Sequence, residues 1–508
     1  MRIVIVGAGL GGLAAACRLT RRTGSGTNRE DGTAAAHEIT VIERAAVPGG
    51  RAGLLELGGY RFDPGPSVLT MTGILADTFA AAGADMDDHI RLHALDPMYR
   101  ACFDDGSTLL VRHGREAMTE EIRNFAGTRE AARFGSFVDW LTRLYDVEMP
   151  AFIDRNFDSV LDMARPLSPG LQLLRLGGFN KLHRLVGNYF DDPRLQKVFS
   201  FQAMYAGLSP FQALGAYAVI TYMDTVAGVS FPAGGMHTVA EGLAAAAASA
   251  GVGFRYNTSV ERVLRANGTN GAVRGVRLAD GEVGAADAVI VNADLPVAYK
   301  ALLPELDAPR VARRGHYSPS CALWLAGVKG PLPAAAEHHN IHFGGQWREA
   351  FDALLRDGTR MPDPSLLVTA PTRTDPSLAP QQPGSERHIL YVLEPTPHLG
   401  GRINWDIERD RVKADIQQRV VQLGYPAEVE RVEVERFLDP TDWERMGMAM
   451  GTPFALSHRF RQTGPFRPSN IDRRVPGLVF VGSSTVPGVG VPMVLLSGRL
   501  AAERVNAW

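Results

Sequence analysis

The sequence predicts an α/β fold, in which a parallel sheet with flanking helices is joined to a second, mixed α+β domain. Three short apolar runs rich in β-branched residues carry this prediction, at 3–6, 39–42 and 478–481. Runs of this kind are typical of parallel strands that are buried on both faces. The first and third runs lead into glycine-rich turns followed by helical sequence, which is the strand–turn–helix order of an α/β domain.

The first run continues directly into the motif Gly7-x-Gly9-x-x-Gly12, and an alanine-rich helix is predicted over 13–19. In such a motif Gly7 allows a tight turn, Gly9 lets the backbone approach a pyrophosphate, and Gly12 lets the helix pack closely on the strand. The N-terminus of that helix attracts the anion. The motif therefore predicts a Rossmann-like dinucleotide-binding domain at the start of the chain.

Glu43 stands at the end of the second run, where an acidic side chain can accept hydrogen bonds from a ribose diol. The usual spacing from the glycines is about 20 residues, and here a polar, glycine-rich stretch over 24–32 lengthens it. We interpret this stretch as a surface insertion.

Two further motifs indicate a flavin rather than a nicotinamide dinucleotide. Arg51, which follows Pro48-Gly49-Gly50, has a guanidinium that can hold a pyrophosphate through two parallel hydrogen bonds. Near the other end of the chain, Gly482 follows the third run, and a glycine loop at 488–490 precedes a helix that runs through Leu500. The positive N-terminal end of that helix can face the electron-rich pyrimidine end of a reduced flavin.

The composition excludes several classes of protein. The 508 residues include 53 Lys and Arg against 55 Asp and Glu, a net charge of −2, so no nucleic-acid partner is expected. Three cysteines are too few for a disulfide framework and fit a reducing cytoplasm. The glycines that interrupt the N-terminal apolar stretch favour a folded strand over a signal peptide.

With these motifs in place, the chain resembles the flavin amine-oxidase-like superfamily and, within it, the bacterial-type phytoene desaturases of carotenoid synthesis. The resemblance extends over essentially the whole length. Beyond the N-terminal motif it rests on the segments 199–202, 231–236, 377–380, 392–400, 466–470 and 482–499.

The resemblance implies a non-covalently bound FAD and an apolar polyene substrate, phytoene, which is dehydrogenated in successive steps toward neurosporene or lycopene. It implies that the adenosine and pyrophosphate are held by Gly7, Gly9, Gly12, Glu43 and Arg51, with Val260 meeting the adenine through its backbone. It also implies that the ribitol and flavin ring are held by Gly482, Val491, Pro492 and Met493. The number of steps and the electron acceptor, oxygen or a quinone, stay open.

The chain departs from the family pattern at two places. Family members often read Thr-His-Pro-Gly where this chain reads Thr485-Val486-Pro487-Gly488, and they often have an Arg-Asp pair where it has Leu161-Asp162. Asp162 is the candidate general base if it is buried near the flavin. The alternative is an ordinary surface carboxylate.

Three histidines, His338, His339 and His342, lie beside Glu337 at a spacing that suits a metal ion. Adjacent side chains rarely converge on one ion, and no thiol is near them in the sequence, so we predict no metal site.

The dinucleotide-binding domain is predicted to be discontinuous, comprising 1–95, 229–300 and 470–508. The intervening segments, 96–228 and 301–469, form the predicted substrate-binding, membrane-facing domain. A hairpin turn is predicted at Asp280-Gly281. The uncharged stretch over 198–223, broken at Ser209-Pro210, is predicted to form two buried helices rather than a transmembrane span. These helices suit the wall of a long apolar tunnel, and an ordinary hydrophobic core has the same pattern.

Residues 164–190 contain four basic residues and no acidic one, interleaved with leucines. A basic, leucine-rich segment favours contact with an anionic membrane, although an ordinary amphipathic helix has the same pattern. We therefore expect a cytoplasmic protein that is peripherally associated with the inner face of the cell membrane.

Two alternatives remain open on the sequence. One is an FAD-dependent oxidoreductase that acts on another apolar isoprenoid, such as dehydrosqualene or a hydroxylated carotene. The other is a non-enzymatic isoprenoid-binding escort protein, against which the intact set of glycines, Glu43 and Arg51 argues.

Overall fold

A computed structural model describes residues 1–20, 37–159, 161–162, 166–266 and 271–508. The predicted surface insertion at 24–32 lies outside the described residues. The strands are β1 (Arg2–Val6), β2 (Glu38–Ile42), β3 (Leu55–Leu57), β4 (Tyr60–Phe62), β5 (Leu69–Thr70), β6 (Leu92–Ala94), β7 (Tyr99–Cys102), β8 (Thr108–Val111), β9 (Val229–Pro232), β10 (Gly253–Arg255), β11 (Val260–Arg265), β12 (Val273–Leu278), β13 (Val283–Ala285), β14 (Ala288–Val291), β15 (Ser320–Lys329), β16 (His339–His342), β17 (Leu366–Thr369), β18 (Arg387–Thr396), β19 (Val432–Leu438) and β20 (Leu478–Phe480).

The α-helices are α1 (Leu10–Leu19), α2 (Thr72–Ala81), α3 (Arg115–Ala126), α4 (Thr128–Glu148), α5 (Leu167–Arg175), α6 (Leu182–Gly187), α7 (Pro193–Val198), α8 (Ala218–Thr225), α9 (His237–Ser249), α10 (Leu295–Leu302), α11 (Arg310–Arg314), α12 (Trp347–Asp352), α13 (Trp405–Gln422), α14 (Pro440–Arg445) and α15 (Val491–Asn506).

The first sheet has five parallel strands in the order β10-β2-β1-β14-β20. Ile3 in the central strand lies opposite Ile39 on one side and Ala288 on the other. Helices α9 and α15 both pack on α1, and β14 is buried along its whole length. The predicted α/β fold with a Rossmann-like domain is confirmed. The carboxyl ends of its strands, where such sheets bind ligands, lie along one edge.

The second large sheet is mixed, with seven strands in the order β19-β15-β18-β17-β16-β7-β8. Its longest pairing is antiparallel, between β15 and β18, from Ser320 opposite Thr396 to Lys329 opposite Arg387. All seven strands come from the two segments predicted to form the substrate-binding domain. This origin supports the proposed division of the chain, whose exact boundaries remain a prediction.

Two local predictions can be compared with the structure. The hairpin at Asp280-Gly281 is confirmed, because β12 and β13 pair across this turn and Gly281 has a φ of +92°. The prediction of two buried helices over 198–223 is also confirmed, although the helix before the break, Phe201–Ala206, is a 3-10 helix and the one after it is the α-helix α8. Gly207 ends the first helix with a φ of +71°, and Pro210 has no N–H with which to continue a helix.

Within the described ranges, no helix is long and apolar enough to cross a membrane. The three cysteines, Cys17, Cys102 and Cys321, are buried free thiols.

Candidate functional site

The glycine motif forms a tight turn between β1 and α1. Gly7 has a φ of +100°, and a Cβ at Gly12 would lie closer than 3.0 Å to the carbonyl oxygen of Gly7. A Cβ at Gly9 would meet the side-chain amide of Asn292 at 2.8 Å. Asn292 follows β14 and donates to the Gly7 carbonyl oxygen at 3.4 Å. The turn therefore has no room for side chains, as a backbone that approaches a pyrophosphate requires.

Glu43 lies beside this turn, at the end of β2. Its carboxylate accepts hydrogen bonds from the N–H of Ala8 at 2.7 Å and of Ala45 at 2.9 Å. The neighbouring chain runs toward Val260, which begins β11, and the N–H of Thr258 donates to the Glu43 carbonyl oxygen at 2.9 Å. The structure thus brings Glu43 and the segment leading to Val260 together at the edge where the glycine turn lies.

Arg51 connects the N-terminal and C-terminal motifs. Its guanidinium donates to Asp294 Oδ1 at 2.7 Å and to the Ser483 hydroxyl. Asp294 also accepts from the Ser484 hydroxyl at 2.8 Å and from the N–H of Ala449 at 3.0 Å. About a third of the Arg51 side chain is exposed (31%). In this arrangement Arg51 lies beside the glycine turn, next to the residues that follow Gly482.

Gly482 follows the last strand of the sheet, and Gly490 is the N-cap of α15. Gly482 has a φ of +102°, and a Cβ there would lie 3.0 Å from Asn292 Oδ1. Helices α1 and α15 both begin after a glycine, and neither has a side chain that caps its first turn. Two glycine-lined helix N-termini at one edge of a parallel sheet fit the pyrophosphate and the ring of an FAD.

A large apolar cavity of about 580 Å3 begins at this place. Val491, Pro492 and Met493, in the first turn of α15, form part of its wall. Much of the remaining wall is aromatic, including Phe201, Phe343, Trp347, Tyr391, Phe454 and Phe460. The predicted flavin-ring residues and a large apolar binding space are therefore continuous.

Asp162 does not belong to this cavity. Its carboxylate lies on the surface and accepts hydrogen bonds from the N–H groups of Asp158 and Ser159, both at 2.8 Å. These bonds lower the pKa of Asp162, whereas burial would raise the pKa of a carboxyl and make it a stronger base. The condition under which Asp162 is a candidate base, burial near the flavin, is not met.

Two other carboxyls do line the cavity, Glu148 and Asp224. Burial raises the pKa of Glu148 well above its ordinary value. Burial also raises the pKa of Asp224 to about 6, although a hydrogen bond from Gln202 at 3.1 Å opposes the increase. The sequence carries no signal for either, because an isolated acidic residue in a helix is most often exposed.

The loop at 483–488 is fixed by Arg467 and His458. The buried Arg467 guanidinium donates to the carbonyl oxygens of Ser483 and Thr485, and burial lowers its pKa to about 10. His458 packs so closely on Gly488 that a Cβ there would collide with the imidazole. Burial and the nearby Arg467 charge hold the pKa of His458 well below its ordinary value, so its imidazole is neutral.

The three histidines considered for a metal ion point to different partners. His338 pairs with Thr374 at 2.7 Å, His339 with Thr369 at 2.9 Å, and His342 with Tyr425 at 3.4 Å. In the part of the chain that the structure describes, no three His, Cys, Asp or Glu side chains are grouped as metal ligands.

Asn292 and Asp294 are missing from the sequence-based predictions, although a signal for them exists. Asn292 follows directly on a buried strand, as Glu43 does, and Asp294 lies two residues further on. Polar residues at the carboxyl ends of parallel strands meet at the ligand-binding edge. No comparable signal marks His458, which lies in a loop far from any glycine motif.

Comparison with known proteins places these features in a family. The sequence profile of the flavin containing amine oxidoreductases matches residues 10–506. A phytoene dehydrogenase from Streptomyces griseus is 45% identical over 507 residues, covering 99% of this chain and 95% of its own. A zeta-carotene-forming phytoene desaturase from Myxococcus xanthus is 37% identical over 519 residues, covering 100% and 94%.

The fold also has solved relatives. The crystal structure of an oxidoreductase from Methanosarcina mazei superposes with a TM-score of 0.61 over 100% of both chains, at 17% identity. This likeness concerns the fold alone.

Proposed function

Because the chain belongs to the flavin containing amine oxidoreductase family, we propose that it is an FAD-dependent desaturase of the polyene phytoene in carotenoid synthesis. The observation that carries this proposal is the apolar cavity that begins at the first turn of α15. A hydrocarbon substrate offers no polar group for recognition, so its binding energy comes from burial of apolar surface. The aromatic wall suits a long hydrocarbon of this kind.

The residues that hold FAD are proposed from their placement. Gly7, Gly9 and Gly12 give its pyrophosphate access to the backbone, while Glu43 and Val260 lie where the ribose and adenine are expected. Gly482 and the first turn of α15 lie where the ring is expected. When bound there, FAD supplies the two-electron oxidation of an unactivated carbon–carbon bond, which side chains alone do not achieve.

The protein positions the reacting groups and excludes water from them. A buried wall around the reacting carbons excludes water, which keeps a cationic centre that develops on the substrate from being hydrated. The neutral His458 and the buried, hydrogen-bonded Arg467 hold the loop that precedes α15. A rigid loop there keeps the cofactor end of the cavity in a fixed position.

The proposal includes contact with a membrane, through an exposed apolar surface that we call the leucine patch. It consists of Leu167, Leu171, Leu174, Phe179 and Phe460, which are 43–70% exposed. Phe179 and Phe460 contact each other with ring centroids 6.2 Å apart, and both also line the cavity. The patch is thus continuous with the cavity, which suits a substrate that enters from lipid.

Basic residues border the leucine patch. Arg175 ends α5, and Arg459 and Arg461 flank Phe460 in the sequence. Apolar side chains flanked by cations are the pattern of surfaces that bind anionic lipid. The proposed location is therefore the cytoplasmic face of the cell membrane.

The function is tested by incubating the FAD-loaded protein with liposomes that contain phytoene, with oxygen or a quinone as electron acceptor. Chromatography of the extracted pigments is expected to show conjugated products, whose absorption maxima count the steps taken. Unchanged phytoene with either acceptor would contradict the proposal. Conversion of dehydrosqualene or a hydroxylated carotene instead would assign the protein to another isoprenoid.

A further inference from the structure

Glu148 is a buried carboxyl in a largely apolar wall. It is the last residue of α4, immediately before a π-helical turn over Met149–Ile153. Its exposure is only 5%, and its Oε1 has no hydrogen-bond partner within the described residues. A buried acid in this state costs free energy. Such a group in a largely apolar cavity wall indicates a function.

The neighbourhood of Glu148 joins the cavity to the proposed flavin end. Met149 and Ile153, which follow it, pack in one apolar cluster with Met223 of α8 and Met493 of α15. Met493 belongs to the first turn of α15, and Glu148 and Met493 both line the cavity. The carboxyl therefore faces the space in which the substrate is proposed to lie, on a wall shared with the first turn of α15.

We propose that Glu148 is the proton acceptor in the desaturation, an inference that rests on the proposed function. In each step one carbon loses a hydride to the oxidised flavin, and its neighbour loses a proton to the Glu148 carboxylate. The electron pair of the second C–H bond forms the new C=C bond. The substrate loses two electrons, the flavin gains them, and the proton remains on Glu148 until it passes to solvent.

The environment of Glu148 suits this role. Burial alone raises its pKa, and no cation in the described part of the chain opposes the increase. A carboxylate in such a site is a stronger base than one in water. The other titratable groups on the cavity wall are Tyr99, Arg155, Tyr205, Tyr217, Asp224, His339, Tyr391 and His458. Asp224 is the one rival carboxyl among them, but it already accepts a hydrogen bond from Gln202.

The test compares wild type with Glu148→Gln, Glu148→Asp and Asp224→Asn. Glu116→Gln, which alters an exposed carboxyl on α3, is the matched control. FAD absorbance and circular dichroism establish that each variant is folded and loaded. Glu148→Gln is expected to lower phytoene turnover by about 100-fold or more, and Glu148→Asp is expected to keep part of it. Glu116→Gln is expected to behave as wild type.

Two further readouts separate catalysis from structure. Wild-type turnover is expected to rise with pH as Glu148 ionises, and the residual turnover of Glu148→Gln is expected to lose this dependence. Independently of activity, infrared spectroscopy of the protein without FAD is expected to show the C=O stretch of a protonated carboxyl that Glu148→Gln removes.

The outcomes are distinct. If wild type leaves phytoene unchanged, the proposed function fails and this inference falls with it. If wild type converts phytoene and Glu148→Gln converts it equally fast, the inference alone is overturned. If turnover is lost in Asp224→Asn and kept in Glu148→Gln, the proton acceptor is Asp224 instead.

Discussion

At the scale of single residues, Gly12 offers a sharp test of the nucleotide site. Gly12→Ala places a methyl group against the Gly7 carbonyl oxygen, closer than 3.0 Å. Overpacking of this kind costs about 1–3 kcal/mol, so we expect FAD to be retained roughly tenfold more weakly or worse. The flavin absorbance of the purified protein, titrated against added FAD, measures this. Gly73→Ala is the control, because nothing lies within 4 Å of a Cβ there; equal loss in both variants would contradict the assignment.

His339 makes stability depend on pH. Burial lowers its pKa to about 4, below its ordinary value of 6.5, so the unfolded chain binds protons more readily. The contribution of neutral His339 to the free energy of unfolding is therefore complete above the pKa that histidine has in the unfolded chain. It decreases as the pH drops from about 6.5 toward 4. A difference of one between the folded and unfolded pKa values changes the free energy of unfolding by about 1.4 kcal/mol.

Denaturant unfolding at pH 7 and pH 5 tests this prediction. His339→Gln, which has no titrating ring, is expected to lose less stability between the two values than wild type. His113→Gln is the control, because that histidine is exposed. An equal loss in wild type and His339→Gln would contradict the prediction.

Residues differ in how readily the sequence reveals them. Gly7, Glu43 and Arg51 occur at positions where the order of strand, turn and helix requires their chemistry, so the sequence alone identifies them as candidates. Glu148 does not, because it lies two residues after Asp146 at the end of an amphipathic helix, and only the packing of α4 shows that it is buried. Asp162 is a candidate base in the sequence for the same reason, because sequence alone does not distinguish a buried carboxyl from one that caps a surface turn.

At the scale of elements, α5 carries the test of membrane contact. Leu171 and Leu174 are more than half exposed, and burying a leucine contributes about 1.5–3 kcal/mol. Replacing both by Ser is expected to lower binding to anionic liposomes by at least about tenfold. Co-sedimentation measures the bound fraction.

The matched control is Ile407→Ser, which removes an even more exposed apolar side chain (73%) from α13. It is expected to leave co-sedimentation unchanged. Wild-type protein that never sediments with the liposomes would remove the membrane proposal altogether.

The elements that the sequence predicts well are those with a strong local pattern. The alanine-rich helix α1 and the β12–β13 hairpin have such patterns, and both form as expected. Residues 201–206 do not have one, because their uncharged sequence suits an α-helix and a 3-10 helix equally. Gly207 and tertiary packing, which cannot be predicted from this local sequence, determine that a 3-10 helix forms.

At the scale of the whole molecule, the site is assembled from segments that are far apart in the chain. Gly7, Asn292 and Gly482 meet because β1, β14 and β20 are neighbours in one parallel sheet. This convergence is predictable, since parallel strands end at the same edge. The cavity is not, because an apolar wall and an apolar core have the same composition until the space between them is known.

The central claim is that a polyene in this cavity reduces the flavin at its end. The most direct measurement is the absorbance of the FAD-loaded protein mixed with phytoene-containing liposomes in the absence of oxygen and any other acceptor. The flavin band is expected to bleach while absorbance of a conjugated product appears, and admitting an acceptor is expected to restore the band. A flavin that stays oxidised while the protein holds phytoene would contradict the claim.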